Sequence, residues 1–105
     1  MRVLIVEDDR VTREALRALF HNEGWEVAVA ATGADALPAL ESPPEWLILD
    51  LMLPDMDGEA ILKKIRSERI IICIAVVTGT SDRARLEAVL DLKPELLMGK
   101  PINFP

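Results

Sequence analysis

Along this chain, groups able to do chemistry stand where short apolar runs end. Val3-Leu4-Ile5-Val6 runs into Glu7-Asp8-Asp9, and Trp46-Leu47-Ile48-Leu49 runs into Asp50. The stretch from Ile70 to Val77 ends at Thr78, and Leu96-Leu97-Met98 leads to Gly99-Lys100. Carboxylates crowded into one crevice repel, and one of them has its pKa raised unless a cation is present. A hard divalent cation with oxygen ligands resolves that conflict; Mg2+ takes one or two carboxylates with several waters and phosphate oxygens. A carboxylate beside Mg2+, a lysine and a hydroxyl is suited to phosphoryl transfer. The carboxylate attacks phosphorus to give an acyl phosphate, and metal and lysine neutralise charge on the transferring oxygens. Each residue taken singly has a plainer reading: Asp8 or Asp9 caps a helix, and Asp57-Gly58 makes a turn. Likewise Thr78 ends a strand and Lys100 is a solvated lysine. Those readings leave unexplained why all of these groups fall at strand ends on one edge.

For the groups to meet, the runs must be neighbouring strands of one sheet. Val3 to Val6, Glu26 to Ala31, Trp46 to Leu49, Ile70 to Val77 and Leu96 to Met98 read as strands, the continuous apolar ones buried on both faces. Between them lie amphipathic stretches. Arg10 to Glu23 carries Val11, Ala15, Leu16, Leu19 and Phe20 at helical spacing and stops at Gly24. Ala34 to Glu41 is a short helix bent by Pro38. Glu59 to Ser67 groups Ile61, Leu62 and Ile65, and Asp82 to Leu92 groups Leu86, Val89 and Leu90. Alternating strands and helices imply a parallel sheet with right-handed crossovers. The expected fold is a flavodoxin-like, doubly wound α/β sheet of five strands in the order 2-1-3-4-5, whose ligand site lies beyond the carboxyl ends of the strands at the switch point between the first and third.

Composition narrows the function classes. The 105 residues form one expected domain, 1–105, and their apolar fraction of 50% excludes a disordered chain. A net charge of −6 argues against a nucleic-acid surface. The single cysteine, Cys73, excludes a disulfide framework and fits a reducing, cytoplasmic setting. No apolar run is long enough to span a membrane. His21, Cys73, Trp25 and Trp46 read as surface or packing residues.

At this point the residues resemble the receiver domain of two-component response regulators, over essentially the whole length. The blocks that carry the resemblance are Leu4-Ile5-Val6-Glu7-Asp8-Asp9, Leu47 to Gly58, Val77-Thr78-Gly79 and Lys100-Pro101, in that order and at fitting spacing. The resemblance implies that Asp50 is the phosphoacceptor, taking its phosphoryl group from the phosphohistidine of a sensor histidine kinase. It implies that Asp8 and Asp9 hold Mg2+ directly or through water, with Asp50 and the Met52 backbone carbonyl as further ligands. Thr78 and Lys100 would contact the phosphoryl oxygens. The domain would be a switch that assists its own phosphorylation and dephosphorylation rather than an enzyme. It would act on an output domain or target protein, with no membrane contact and no direct contact to nucleic acid.

Two departures from the family pattern stand out. The family's fifth strand carries an aromatic three residues before the lysine, which couples the threonine to the face of the fourth helix; here that residue is Leu97. The family's fifth helix begins where Ile102-Asn103-Phe104-Pro105 stands, so that helix is expected to be missing. One side of the alternation in Val3, Ile5, Ile72, Ile74 and Val76 would then lie open, which predicts a homodimer or a less stable domain. Rival readings are a pseudo-receiver acting only as an interaction module and a metal-dependent phosphohydrolase. The phosphohydrolase needs a second acid two residues beyond Asp50, where Met52 stands. A nuclease-like metal site from Glu7 with Asp55 and Asp57 would sit in basic surroundings, which this chain lacks.

Overall fold

The computed structural model describes residues 1–101. Five strands and four helices alternate: β1 Arg2–Val6, α1 Arg10–Asn22, β2 Glu26–Ala30, α2 Gly33–Ala39, β3 Trp46–Asp50, α3 Gly58–Ser67, β4 Cys73–Thr78, α4 Arg83–Asp91 and β5 Leu96–Gly99. All strand pairs are parallel, in the order β2-β1-β3-β4-β5. The fold expected from the sequence is therefore the fold observed. Residues 102–105, on which the expectation of a missing fifth helix falls, lie outside the described residues.

Local signals account for the helix ends. Asp9, Thr32 and Asp82 each accept a hydrogen bond from a backbone N–H of the first turn of α1, α2 and α4, as short polar side chains do at N-caps. The N-terminus of α2 is further tied down by the Asp55 carboxylate, which accepts from the Gly33 and Ala34 N–H groups at 2.9 Å each. Gly24, at φ 86°, supplies the left-handed residue that ends α1. Pro38 lies inside α2, as its place in the sequence requires.

Most element boundaries fall within a residue or two of expectation; the largest difference is at the start of β4. Ile70 to Ile72 are not strand; β4 begins at Cys73, which pairs with Trp46, the first residue of β3. The preceding residues have no partner strand alongside them, and the Ile71 side chain is 93% exposed. An apolar run alone does not make a strand; it also needs a neighbour in register.

The sheet divides the core in two. On one face Leu4, Val6, Leu47, Leu49, Ile74 and Val76 pack under α2, α3 and α4 with Ile61, Leu62, Ile65 and Val89. On the other, Val3, Ile5, Ile48, Ala75 and Val77 meet Leu16 and Phe20 of α1. The set proposed from sequence for the open side thus belongs to two faces: Ile72, Ile74 and Val76 lie under the helices, whereas Val3 and Ile5 lie on the α1 side. Parallel register explains the split, because Val3 is level with Trp46 and Cys73, so Ile74 falls on the opposite side of the pleat. Among the described residues, the α1 side holds an apolar groove lined by Phe20, Trp25, Trp46, Ile48, Leu96 and Met98.

Candidate functional site

The carboxyl edge of the sheet gathers the chemistry. β1 delivers Glu7, whose N–H still pairs with the Ala30 carbonyl at 3.0 Å and so continues the sheet. The neighbouring β3 ends in Asp50, and β4 ends in Thr78, one residue beyond the level of Asp50. β5 is followed by Lys100, whose N–H donates to the Thr78 carbonyl at 2.9 Å. Among the described residues, Glu7, Asp50 and Thr78 are the buried polar side chains, each no more than 3% exposed.

Two carboxylates are thus buried side by side, and Lys100 stands between them. Its Nζ donates to Asp50 Oδ2 at 3.0 Å and pairs with Glu7 Oε1. Burial pushes the Glu7 carboxyl above the usual range, against the lowering effect of Lys100 and of the Asp9 N–H; nearby Asp50 adds to the rise. Burial alone would lower the Lys100 ammonium, but its hydrogen bonds to Glu7 and Asp50 outweigh this and hold it above the usual lysine value. A buried ion cluster of this kind is a poor source of stability, because desolvation rivals the Coulombic gain.

Ligand atoms of Glu7, Asp8 and Asp50 lie within 4.8 Å of one another, with Asp8 exposed to solvent. The donors are all oxygens and one side of the cluster is open to water, which fits a cation that keeps part of its hydration shell, as Mg2+ does. The acidic set expected from sequence is here shifted by one residue. Asp9 is turned away: its Oδ2 accepts from the Thr12 N–H at 2.9 Å and the Thr12 hydroxyl at 2.6 Å, bonds that hold its carboxyl below the usual range. It serves as the cap of α1, and Glu7 rather than Asp9 lies beside Asp8 and Asp50. The cap rule contained the signal, since Asp9 immediately precedes the first helical residue.

The segment from Asp50 to Gly58 is tightly held. The Met52 N–H donates to Asp50 Oδ1 at 3.1 Å, while the Met52 side chain is half exposed. The Thr78 hydroxyl oxygen accepts from the Thr80 N–H at 3.1 Å. A Cβ at Gly58 would stand 2.6 Å from the Asp50 carbonyl oxygen and 2.7 Å from the Leu51 Cα, so only glycine lets α3 start against this segment. Asp55 and Asp57, the partners in a nuclease-like reading, are elsewhere: Asp55 caps α2, and Asp57 is 3.8 Å from Arg85. Leu97 is partly buried against the core beneath the helices.

Comparison with known proteins agrees with this geometry. The family model described as the response regulator receiver domain matches residues 3–105. The chain is 35% identical over 102 residues to the response regulator MprA of Mycobacterium avium (strain 104), a match covering 96% of this chain and 45% of that protein. It is 35% identical over 103 residues to the TorCAD operon transcriptional regulatory protein TorR of Escherichia coli O157:H7, covering 97% and 44%. The chain thus spans less than half the length of these curated relatives. A CheY-like receiver domain protein from Methanospirillum hungatei JF-1 superposes with a TM-score of 0.90 at 30% identity, covering 97% of this chain and 82% of that one. The signal receiver domain of a LuxO repressor protein from Vibrio parahaemolyticus superposes with a TM-score of 0.89 at 32% identity, covering 97% and 79%. With the acidic crevice, the lysine and the topology already in place, the match settles the family: this chain belongs to the response regulator receiver domains, signalling domains of two-component systems.

Proposed function

We propose that Asp50 accepts the phosphoryl group, and that residues 1–105 act as one receiver unit. A carboxylate oxygen of Asp50 attacks phosphorus, the donor's P–N or P–O bond breaks with its electron pair leaving on the donor, and an acyl phosphate forms. The observation that supports this reading is the buried Asp50 carboxylate, held by the Lys100 ammonium and the Met52 N–H beside Glu7 and Asp8. Glu7, Asp8 and Asp50 would hold Mg2+, which when bound neutralises charge on the phosphoryl oxygens. Lys100 is already charged and aimed at Asp50, so it needs no proton movement to meet the incoming group. Thr78, at the end of β4, would offer its hydroxyl to a phosphoryl oxygen. The domain assists its own phosphorylation in this sense: it orients the nucleophile and supplies charge, and the covalent product stays on the protein. By chemistry the source is a phosphohistidine or a small acyl phosphate, and the consumer is an output domain or separate target. The rival of an unphosphorylated interaction module leaves the Asp50–Lys100 arrangement without a task.

The test is intact mass after incubation with acetyl phosphate and Mg2+. Wild type is expected to gain one phosphoryl group per chain and Asp50→Asn none. Equal uptake by both proteins would overturn the assignment.

A further inference from the structure

Arg85 is not in direct contact with the acidic cluster, yet its hydrogen bonds lead to the acceptor. It lies in the first turn of α4, and its guanidinium makes a two-pronged ion pair with Glu59 at the start of α3: Nε to Oε2 at 2.7 Å and Nη2 to Oε1 at 2.8 Å. The same Nη2 donates to the Leu51 carbonyl at 3.2 Å. That carbonyl also accepts from the Gly58 N–H at 2.8 Å. Leu51 follows Asp50, its side chain is fully buried, and its carbonyl shares one peptide unit with the Met52 N–H that donates to Asp50 Oδ1. A peptide unit is planar and stiff. Arg85 therefore grips one end of a rigid plate whose other end touches the acceptor carboxylate.

We propose that Arg85 is a positioning residue for phosphoryl transfer. By fixing the Leu51–Met52 peptide it aims the Met52 N–H at Asp50, and it makes α4 feel the chemical change at Asp50. The proposal rests on the reading of Asp50 as acceptor. Three observations carry it. The fork geometry fixes the guanidinium, because a two-pronged carboxylate pair leaves it little freedom to swing. A donor on a carbonyl polarises that amide and strengthens the hydrogen bond its N–H makes. Finally, the link runs from α4 through one side chain and one peptide, so it needs no aromatic residue at position 97, where this chain has Leu97. When Asp50 becomes an acyl phosphate its charge and oxygen positions change, the Met52 N–H must adjust, and the plate passes that adjustment to Arg85 and α4.

The test uses the 105-residue chain with acetyl phosphate and Mg2+, comparing wild type, Arg85→Met, Arg85→Lys and Asp50→Asn. Initial rates of mass gain are measured together with the backbone amide resonances of Arg83 to Asp91 before and after phosphorylation. Arg85→Met is expected to slow phosphate uptake about tenfold, since small misplacement of a reacting group has effects of this order or larger. Its α4 resonances should shift much less on phosphorylation than those of wild type. Arg85→Lys keeps the charge and the fold but, as a single ammonium, cannot serve Glu59 and the Leu51 carbonyl in the same fork; it should show the same two defects more weakly. Should Arg85→Met fail to fold, Arg85→Lys carries the test. Wild-type rates and wild-type α4 shifts in a folded Arg85 variant would overturn the proposal while leaving Asp50 as acceptor. Uptake by Asp50→Asn at the wild-type rate would overturn the acceptor reading itself.

Discussion

Lys100, between Glu7 and Asp50, offsets one of the two buried carboxylate charges, and the Asp8 carboxylate makes the set more negative still. A divalent cation would relieve that excess, and any ligand that binds only the folded state raises stability, by about 2.7 kcal/mol at a hundredfold excess over Kd. The two adjacent aspartates should then answer Mg2+ differently. Asp8→Asn removes a donor of the cluster and is expected to lose most of the Mg2+-induced rise in Tm. Asp9→Ala removes the α1 cap, so it should lower Tm in the absence of Mg2+, while keeping the wild-type rise when Mg2+ is added. A Mg2+ titration of both melts checks this; loss of the rise in Asp9→Ala would return Asp9 to the metal set. Three consecutive acids could not be told apart by composition or strand-end position. What separates them is where the strand ends and the helix begins: Glu7 still belongs to the ladder of β1 and points into the buried edge, whereas Asp9 already belongs to α1.

At the scale of elements, the contact that most needs explaining is between α3 and α4. Arg85 and Glu59 hold the two N-terminal turns together beside the Asp50–Met52 segment. The Arg85 guanidinium keeps the Glu59 carboxyl below its ordinary value of 4.5. A carboxyl depressed in the folded state contributes stability that is present above its unfolded pKa and is lost as pH falls through its folded pKa. Glu59→Gln should therefore be less stable than wild type at neutral pH, by about 1 kcal/mol for a partly exposed pair. The gap should shrink as the pH drops below 4.5. Urea melts at a series of pH values measure it, and a gap independent of pH would mean that Glu59 acts by packing rather than charge. The elements themselves were legible in the sequence, because apolar runs and helical spacing alternate clearly. This contact was not, since Arg85 and Glu59 are 26 residues apart and each reads alone as a solvated helix charge. The start of β4 was misplaced for a related reason: Ile70 to Ile72 have strand-like side chains, but where pairing begins is decided by β3.

Among the described residues, the two faces of the sheet are covered unequally. Three helices seal one face, where Ile61, Leu62 and Ile65 are fully buried. The other face has α1, and beside it the groove with Trp25 and Phe20 in edge-to-face contact at 5.2 Å and with Leu96 and Met98 at its rim, 49% and 39% exposed. Apolar area that stays wet contributes nothing to the driving force of about 25 cal/mol per Å². Stability should therefore depend on the two faces unequally. Ile61→Ala opens a cavity in a closed core and is expected to cost roughly 2–5 kcal/mol. Leu96→Ala removes a half-exposed side chain and is expected to cost about 1 kcal/mol or less in dilute solution. Melts of both variants over a range of protein concentrations check the asymmetry and the homodimer expected from the sequence together. If the groove is closed by a second copy, the Leu96→Ala loss grows with concentration and sedimentation shows a dimer that the variant weakens. If the loss stays small and flat while wild type sediments as a monomer, the fold is held by its three-helix face and the groove takes no part in self-association. A loss at Leu96 as large as that at Ile61 in dilute monomer would contradict the open groove itself.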